Sequence, residues 1–133
     1  MKRPTPTELD ALQWTIGKQI GLVAIDTRDK RRLESMAADG LLERMTADGS
    51  YVPTRRGTVA LTAGRLTKSQ CVVLHRCVLA HKCGRELATV RGLGPKMQDR
   101  LRSIGLLADE YVPRLTERGF AVAAMLDEWE AAL

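Results

Sequence analysis

The sequence writes one layout twice, and that constrains the fold more than any other feature. Met36-Ala-Ala-Asp-Gly40-Leu41-Leu42 is followed by a turn and then by Tyr51-Val-Pro-Thr54-Arg-Arg-Gly57. Leu101-Arg-Ser-Ile-Gly105-Leu106-Leu107 is followed by a shorter turn and then by Tyr111-Val-Pro-Arg-Leu-Thr116-Glu-Arg-Gly119. Gly40 and Gly105 are 65 residues apart, and Thr54 and Thr116 are 62 apart, so the spacing drifts by three residues only. A period of about sixty residues is the size of a small domain, longer than a solenoid repeat. The 133-residue chain is therefore expected to hold two units, 1–63 and 64–133, joined with little slack at Thr62-Ala63-Gly64-Arg65.

Each unit predicts the same elements in the same order. Thr5 or Thr7 caps a first helix with Leu9, Leu12, Ile16 and Ile20 at helical spacing; Thr67 or Ser69 caps its counterpart, with Cys71, Leu74 and Val78. Two short helices joined by a tight turn come next. They are clearest at Arg85–Val90 and after Gly92-Leu-Gly94, where Pro95 takes a favoured first helical position. In the first unit Asp26 or Thr27 caps a helix turning Leu33, Met36 and Ala37 inward. Gly40 and Gly105 end the helices, where a left-handed backbone suits glycine. A hairpin follows, with Asp48-Gly49 as a two-residue turn between 41–45 and 50–53, and with Ala108-Asp109-Glu110 at the tip of the second. Thr54 and Thr116 cap closing helices, the last presenting Val122, Met125, Leu126, Trp129 and Leu133.

Helix, helix-turn-helix, Gly-Leu-Leu, hairpin and Thr-x-x-Gly, repeated in order, resemble the winged helix-turn-helix family in the MarR-like style of bacterial and phage regulators. The resemblance covers nearly the whole chain, once per half. The implied fold is mainly α with small β hairpins, as two tandem winged helix-turn-helix domains. The implied function is sequence-specific binding of double-stranded DNA by a small transcriptional regulator. The second helix of each turn motif would lie in a major groove with the hairpin as a wing. Two readers in one chain would let a monomer act as a pseudo-dimer, with a homodimer as the alternative.

The helices themselves carry a matching chemistry. With Leu33 inward, Arg28, Arg31, Arg32 and Ser35 fall on the outer side, with Thr27 and Lys30 beside them. Arginine's planar fork suits guanine edges and phosphates. With Leu101 inward, Gln98, Asp99 and Arg102 face outward beside Lys96. Arg55, Arg56, Arg114 and Arg118 flank the hairpins and complete the expected DNA-contacting set. A charged outer face is usually a solvated one, so the duplicated layout adds weight that charge alone lacks. Net charge is +5, about +3 for 1–66 and +2 for 67–133, which suits nucleic acid without demanding it.

The wings point another way. The first tip, Thr46-Ala-Asp-Gly-Ser50, holds no basic residue, and the second carries Asp109 and Glu110. An adaptor or inhibitor that binds a protein partner is the competing reading, because one scaffold serves several functions.

Other chemistries find little support. Cys71/His75 and Cys77/His81 have the spacing of helical metal pairs, but lie about 120° apart on a wheel of 3.6 residues per turn, too far to close one site. No metal or cofactor is expected, and the cysteines are read as small apolar residues on a buried helix. A redox thiol is a lesser option: Cys83 stands between Lys82 and Arg85, an electropositive setting. No glycine-rich phosphate loop follows a strand, and neither histidine has a nucleophile or carboxylate partner in its motif, so no enzyme is expected. Two tryptophans, two tyrosines and one phenylalanine are too few for single-strand stacking platforms. No apolar run spans a membrane, and the odd cysteine count offers no disulfide framework; a cytoplasmic protein is expected.

Overall fold

A computed structural model describes residues 1–131. Among them are six α-helices and one antiparallel β-hairpin, a mainly α fold. The chain divides into two units, 1–64 and 65–131.

In the first unit, α1 spans Pro6–Lys18, α2 Thr27–Ala38, β1 Leu42–Arg44, β2 Tyr51–Pro53 and α3 Arg55–Arg65. Thr5, and not Thr7, caps α1: its hydroxyl accepts from the Glu8 amide at 3.3 Å, and the Glu8 carboxylate accepts from the Thr5 amide at 2.9 Å. This reciprocal box satisfies two amides that a helix start otherwise leaves open. Leu9 and Leu12 are buried as expected, joined by Thr15, whose hydroxyl bonds the Ile20 carbonyl. Ile20 is not part of the stripe, because α1 stops at Lys18 and Gln19 turns left-handed at φ 56°, leaving Ile20 58% exposed. No further helix intervenes before α2. Instead, Leu22 bridges Tyr51 through two backbone hydrogen bonds of 2.7 and 2.8 Å, adding a one-residue third strand beside β2. Asp26 caps α2 by accepting from the Asp29 amide at 2.8 Å, and Leu33 and Met36 turn inward.

The hairpin pairs Leu42 with Pro53 and Arg44 with Tyr51. Its turn is longer than two residues: Met45 and Ser50 still bond, and Thr46–Gly49 form the loop, closed by the Gly49 amide on the Met45 carbonyl. Gly49 takes φ 71°, which a side chain resists. Asp48 accepts from both the amide and the hydroxyl of Ser50, and these bonds, the hydroxyl's foremost, hold its carboxyl below the ordinary carboxylate range.

In the second unit, α4 spans Lys68–Lys82, α5 Pro95–Ser103 and α6 Glu117–Ala131. Thr67 and Gln70 repeat the capping box of α1. The buried face of α4 is Val73, Leu74, Cys77 and Ala80, rotated from the expected Cys71, Leu74, Val78 stripe. The predicted helix Arg85–Val90 is a single 3₁₀ turn, Leu87–Thr89, between extended residues at both ends. Packed against α4, α6 buries Val122, Met125 and Trp129, with Leu126 half-buried; Leu133 lies outside the described residues.

The second hairpin does not form a ladder. Only Leu107 and Leu115 bridge, with one neighbouring bond from the Ala108 amide to the Arg114 carbonyl at 2.8 Å. The competing partner is Arg102, whose guanidinium donates to the carbonyls of Ala108 at 3.3 Å and Glu110 at 3.0 Å. Ring closure also leaves Pro113 without an amide to pair.

The repeated motif has one physical meaning in both units. The Leu41 amide bonds the Met36 carbonyl and the Gly40 amide the Ala37 carbonyl; Leu106, Leu101, Gly105 and Arg102 do the same. Gly40 at φ 79° and Gly105 at φ 78° make these left-handed helix exits. Thr54 then donates its hydroxyl to the Gly40 carbonyl and accepts from the Gly57 amide, as Thr116 does with Gly105 and Gly119. A Cβ at Gly57 would overlap the Leu41 carbonyl oxygen, and one at Gly119 that of Leu106. Thr-x-x-Gly is thus the clamp between a helix exit and the next helix start.

Candidate nucleic-acid interface

The outer side of α2 carries the first expected set. Thr27, Arg28, Lys30, Arg31 and Ser35 are exposed, opposite the buried Leu33 and Met36. Arg32 is half-buried and pairs with Asp29 at 3.6 Å. Among the described residues, Arg28, Lys30 and Arg31 meet no carboxylate. Three cationic side chains therefore project from the first turns of one rigid helix, held by the Asp26 cap at one end and the Gly40 exit at the other.

The second set is arranged differently. Gln98 donates to the Leu93 carbonyl at 3.1 Å, and its side-chain oxygen accepts from Arg102 at 3.3 Å. Arg102 also reaches Asp99 at 3.5 Å besides its two loop carbonyls, so its fork is committed within the unit. Lys96 remains exposed on α5, and so does Arg100, which the sequence reading left out of the set. Arg100 stands immediately before the buried Leu101, on the flank of α5 rather than on the face opposite it.

Of the flanking arginines, Arg56 is half-buried, with Nε on the Asp39 carbonyl at 3.1 Å and its stem against Gly40. Arg118 is exposed and leans on Gly105 in the same way. Arg114 is held by Glu110 at 2.6 Å, and Arg55 is exposed at the start of α3. Arg44 is the residue missed. Exposed on β1, it lies within 3.7 Å of where a Gly49 Cβ would sit, and so brings a cation to a hairpin tip that has none in its own five residues. In the sequence Arg44 stands before the tip, and only the fold, with Arg44 paired to Tyr51, brings its guanidinium toward Gly49.

The cysteines separate by burial. Cys77 is buried, and desolvation pushes its thiol up to about 11. Cys71 is half-buried and Cys83 exposed at the end of α4, so only one of the three fits the buried-helix reading. His81 stacks edge-on to Phe120 with ring centres 4.9 Å apart. Among the described residues, no group of three or more His, Cys, Asp or Glu could hold a metal ion, and no helix is long and apolar enough to cross a membrane.

No family model, curated protein or solved structure matches this chain.

Proposed function

We propose that the chain binds double-stranded DNA in a sequence-specific way, as a small transcriptional regulator built from two tandem winged helices, with α2 as its principal reader. The observation that carries this reading is the outer face of α2, where Arg28, Lys30 and Arg31 are exposed and unopposed by carboxylates. A helix of 12 residues is long enough to enter a major groove, and free arginines at its leading turns suit guanine edges and phosphates. Arg44 at the hairpin tip adds a cation where a wing would meet the backbone. Because Gln98 and Arg102 are engaged internally, α5 contributes mainly Lys96 and Arg100, and the two half-sites are unequal.

The test is a fluorescence-anisotropy titration against mixed duplex DNA at two salt concentrations. Binding that weakens steeply with salt and is reduced by Arg28→Ala with Arg31→Ala supports the reading. Absence of binding at low salt ends it.

A protein-binding adaptor is the second reading, and one feature favours it. Tyr111 is 100% exposed and Val112 62% exposed, beside the acidic Asp109 and Glu110, an apolar and acidic tip that phosphate would reject.

A further inference from the structure

The second unit holds a concavity that the DNA reading does not use. It lies between the last turns of α4 and the chain that returns past the 3₁₀ turn, and it has a volume of about 460 Å³. The return is enforced locally: Gly84 takes φ 69°, and the Arg85 amide bonds back to the Ala80 carbonyl at 2.8 Å. Three guanidinium-bearing residues, Arg76, Arg85 and Arg91, line the concavity. Arg76 is fixed there, with Nη1 donating to the Arg91 carbonyl at 3.1 Å, which also tethers the returning segment. Among the described residues none of these three arginines meets a carboxylate, although like charges gathered around one hollow favour an anion between them.

The rest of the lining is Leu79, Ala80, Cys83, Thr89 and Val90, mostly apolar. Leu79 is 47% exposed, a large side chain left in contact with solvent inside a hollow. The volume falls within the range of small-molecule sites, about 300–1,000 Å³, and an apolar lining with a few placed polar groups is their usual composition. A bare phosphate would use the arginines and leave the floor wet. A strand of DNA backbone would likewise leave it uncovered.

We propose that this concavity binds a small organic anion: a compact apolar body carrying a carboxylate, sulfonate or phosphate. The anionic group meets the Arg76, Arg85 and Arg91 forks, and the body covers Leu79 and Val90. The site lies wholly in the second unit and is independent of DNA binding by α2.

The full chain is titrated with 8-anilinonaphthalene-1-sulfonate, whose fluorescence reports binding, and the bound dye is then competed with phenyl phosphate or with duplex DNA. The expected result is saturable one-to-one binding, displaced by phenyl phosphate. Arg85→Ala combined with Arg91→Ala should weaken it at least tenfold, since one charge-assisted hydrogen bond is worth about that much. Leu79→Gln should weaken it through the floor. A second measurement needs no variant. Cys83 lines the hollow while Cys71 does not, so saturating phenyl phosphate should slow iodoacetamide alkylation of Cys83 and leave Cys71 unchanged. Equal protection of both thiols, protection of neither, or unchanged affinity in both variants overturns the proposal. Displacement by DNA but not by phenyl phosphate also overturns it, and assigns the arginines to phosphate backbone instead.

Discussion

Tyr51 and Tyr111 begin the same tripeptide, Tyr-Val-Pro, in the two halves of the chain, yet one is 5% exposed and the other 100%. The difference lies in the distance to the threonine clamp. Pro53 immediately precedes Thr54 and pairs with Leu42; the residue immediately before Thr116 is Leu115, which bridges Leu107. Counted back from the clamp, the counterpart of Tyr51 is therefore Pro113, and Tyr111 has slipped into the loop. Spatial equivalence follows the clamp, whose hydrogen bonds are the same in both units, and not the letters of the tripeptide.

The largest expected effect breaks the two tyrosines apart. Tyr51→Ala removes a buried ring and a core contact of the first unit, and should cost about 3–5 kcal/mol in denaturant unfolding, as large aromatic deletions do. Tyr111→Ala exposes nothing new and should stay within about 0.5 kcal/mol. Equal losses would mean that Tyr111 is covered in solution.

The clamp should make the units alike where the tyrosines make them differ. Gly57→Ala and Gly119→Ala each place a methyl group on a backbone carbonyl oxygen, that of Leu41 or of Leu106, which cannot swing aside as a side chain can. Each should destabilise its own unit by about 3 kcal/mol, at the upper end of overpacking costs. Amide exchange would locate the loss, with α2 and the hairpin affected by the first, α5 and the Leu107–Leu115 bridge by the second. If either glycine tolerates alanine, the close approach is absent there.

Much of this was legible in the sequence, because caps and exits are local chemistry. A threonine followed three residues later by Glu8 or Gln70 announces a helix start, and a glycine at the end of an apolar stripe announces a left-handed exit. The unread parts are decided across longer distances. The Leu22–Tyr51 bridge joins residues 29 apart through backbone atoms alone, leaving no pattern of side chains to notice. The engagement of Arg102 is similarly silent, since an arginine bound to loop carbonyls and one free to meet DNA occupy the same helical position. On the candidate site, the side-chain types of α2 could be read directly, whereas the availability of each charge could not.

That availability gives the third contrast. On the DNA-binding proposal, Arg28→Ala and Arg31→Ala should each cost about 1–3 kcal/mol in affinity and leave stability within about 0.5 kcal/mol. Arg102→Ala should do the reverse: about 1 kcal/mol of stability through the loop carbonyls it leaves unpaired, with little change in affinity. Anisotropy titrations and unfolding curves on the same three variants decide it. A strong affinity loss for Arg102→Ala alone would return α5 to the role of reader.

The smallest effect distinguishes the two loop tips by acid. Asp48 gains its hydrogen bonds from Ser50 only when the hairpin is formed, so its carboxyl is depressed below its ordinary value of 3.8 in the fold. The sign follows from which form the bonds favour. Above pH 3.8 the carboxylate is ionised in both states and the stabilising contribution is fully present; as pH falls through the lower folded value, protonation removes it. Carboxyl chemical shifts followed by NMR should therefore place the Asp48 midpoint below 3.8, and the Ser50 amide resonance should move with the same midpoint. Asp48→Asn removes that titration while keeping an acceptor for the Ser50 amide, so the Ser50 amide resonance of this variant should no longer follow that midpoint. An Asp48 midpoint at or above its ordinary value would mean that the loop opens in solution, and that the order of the first hairpin ends at Met45 and Ser50.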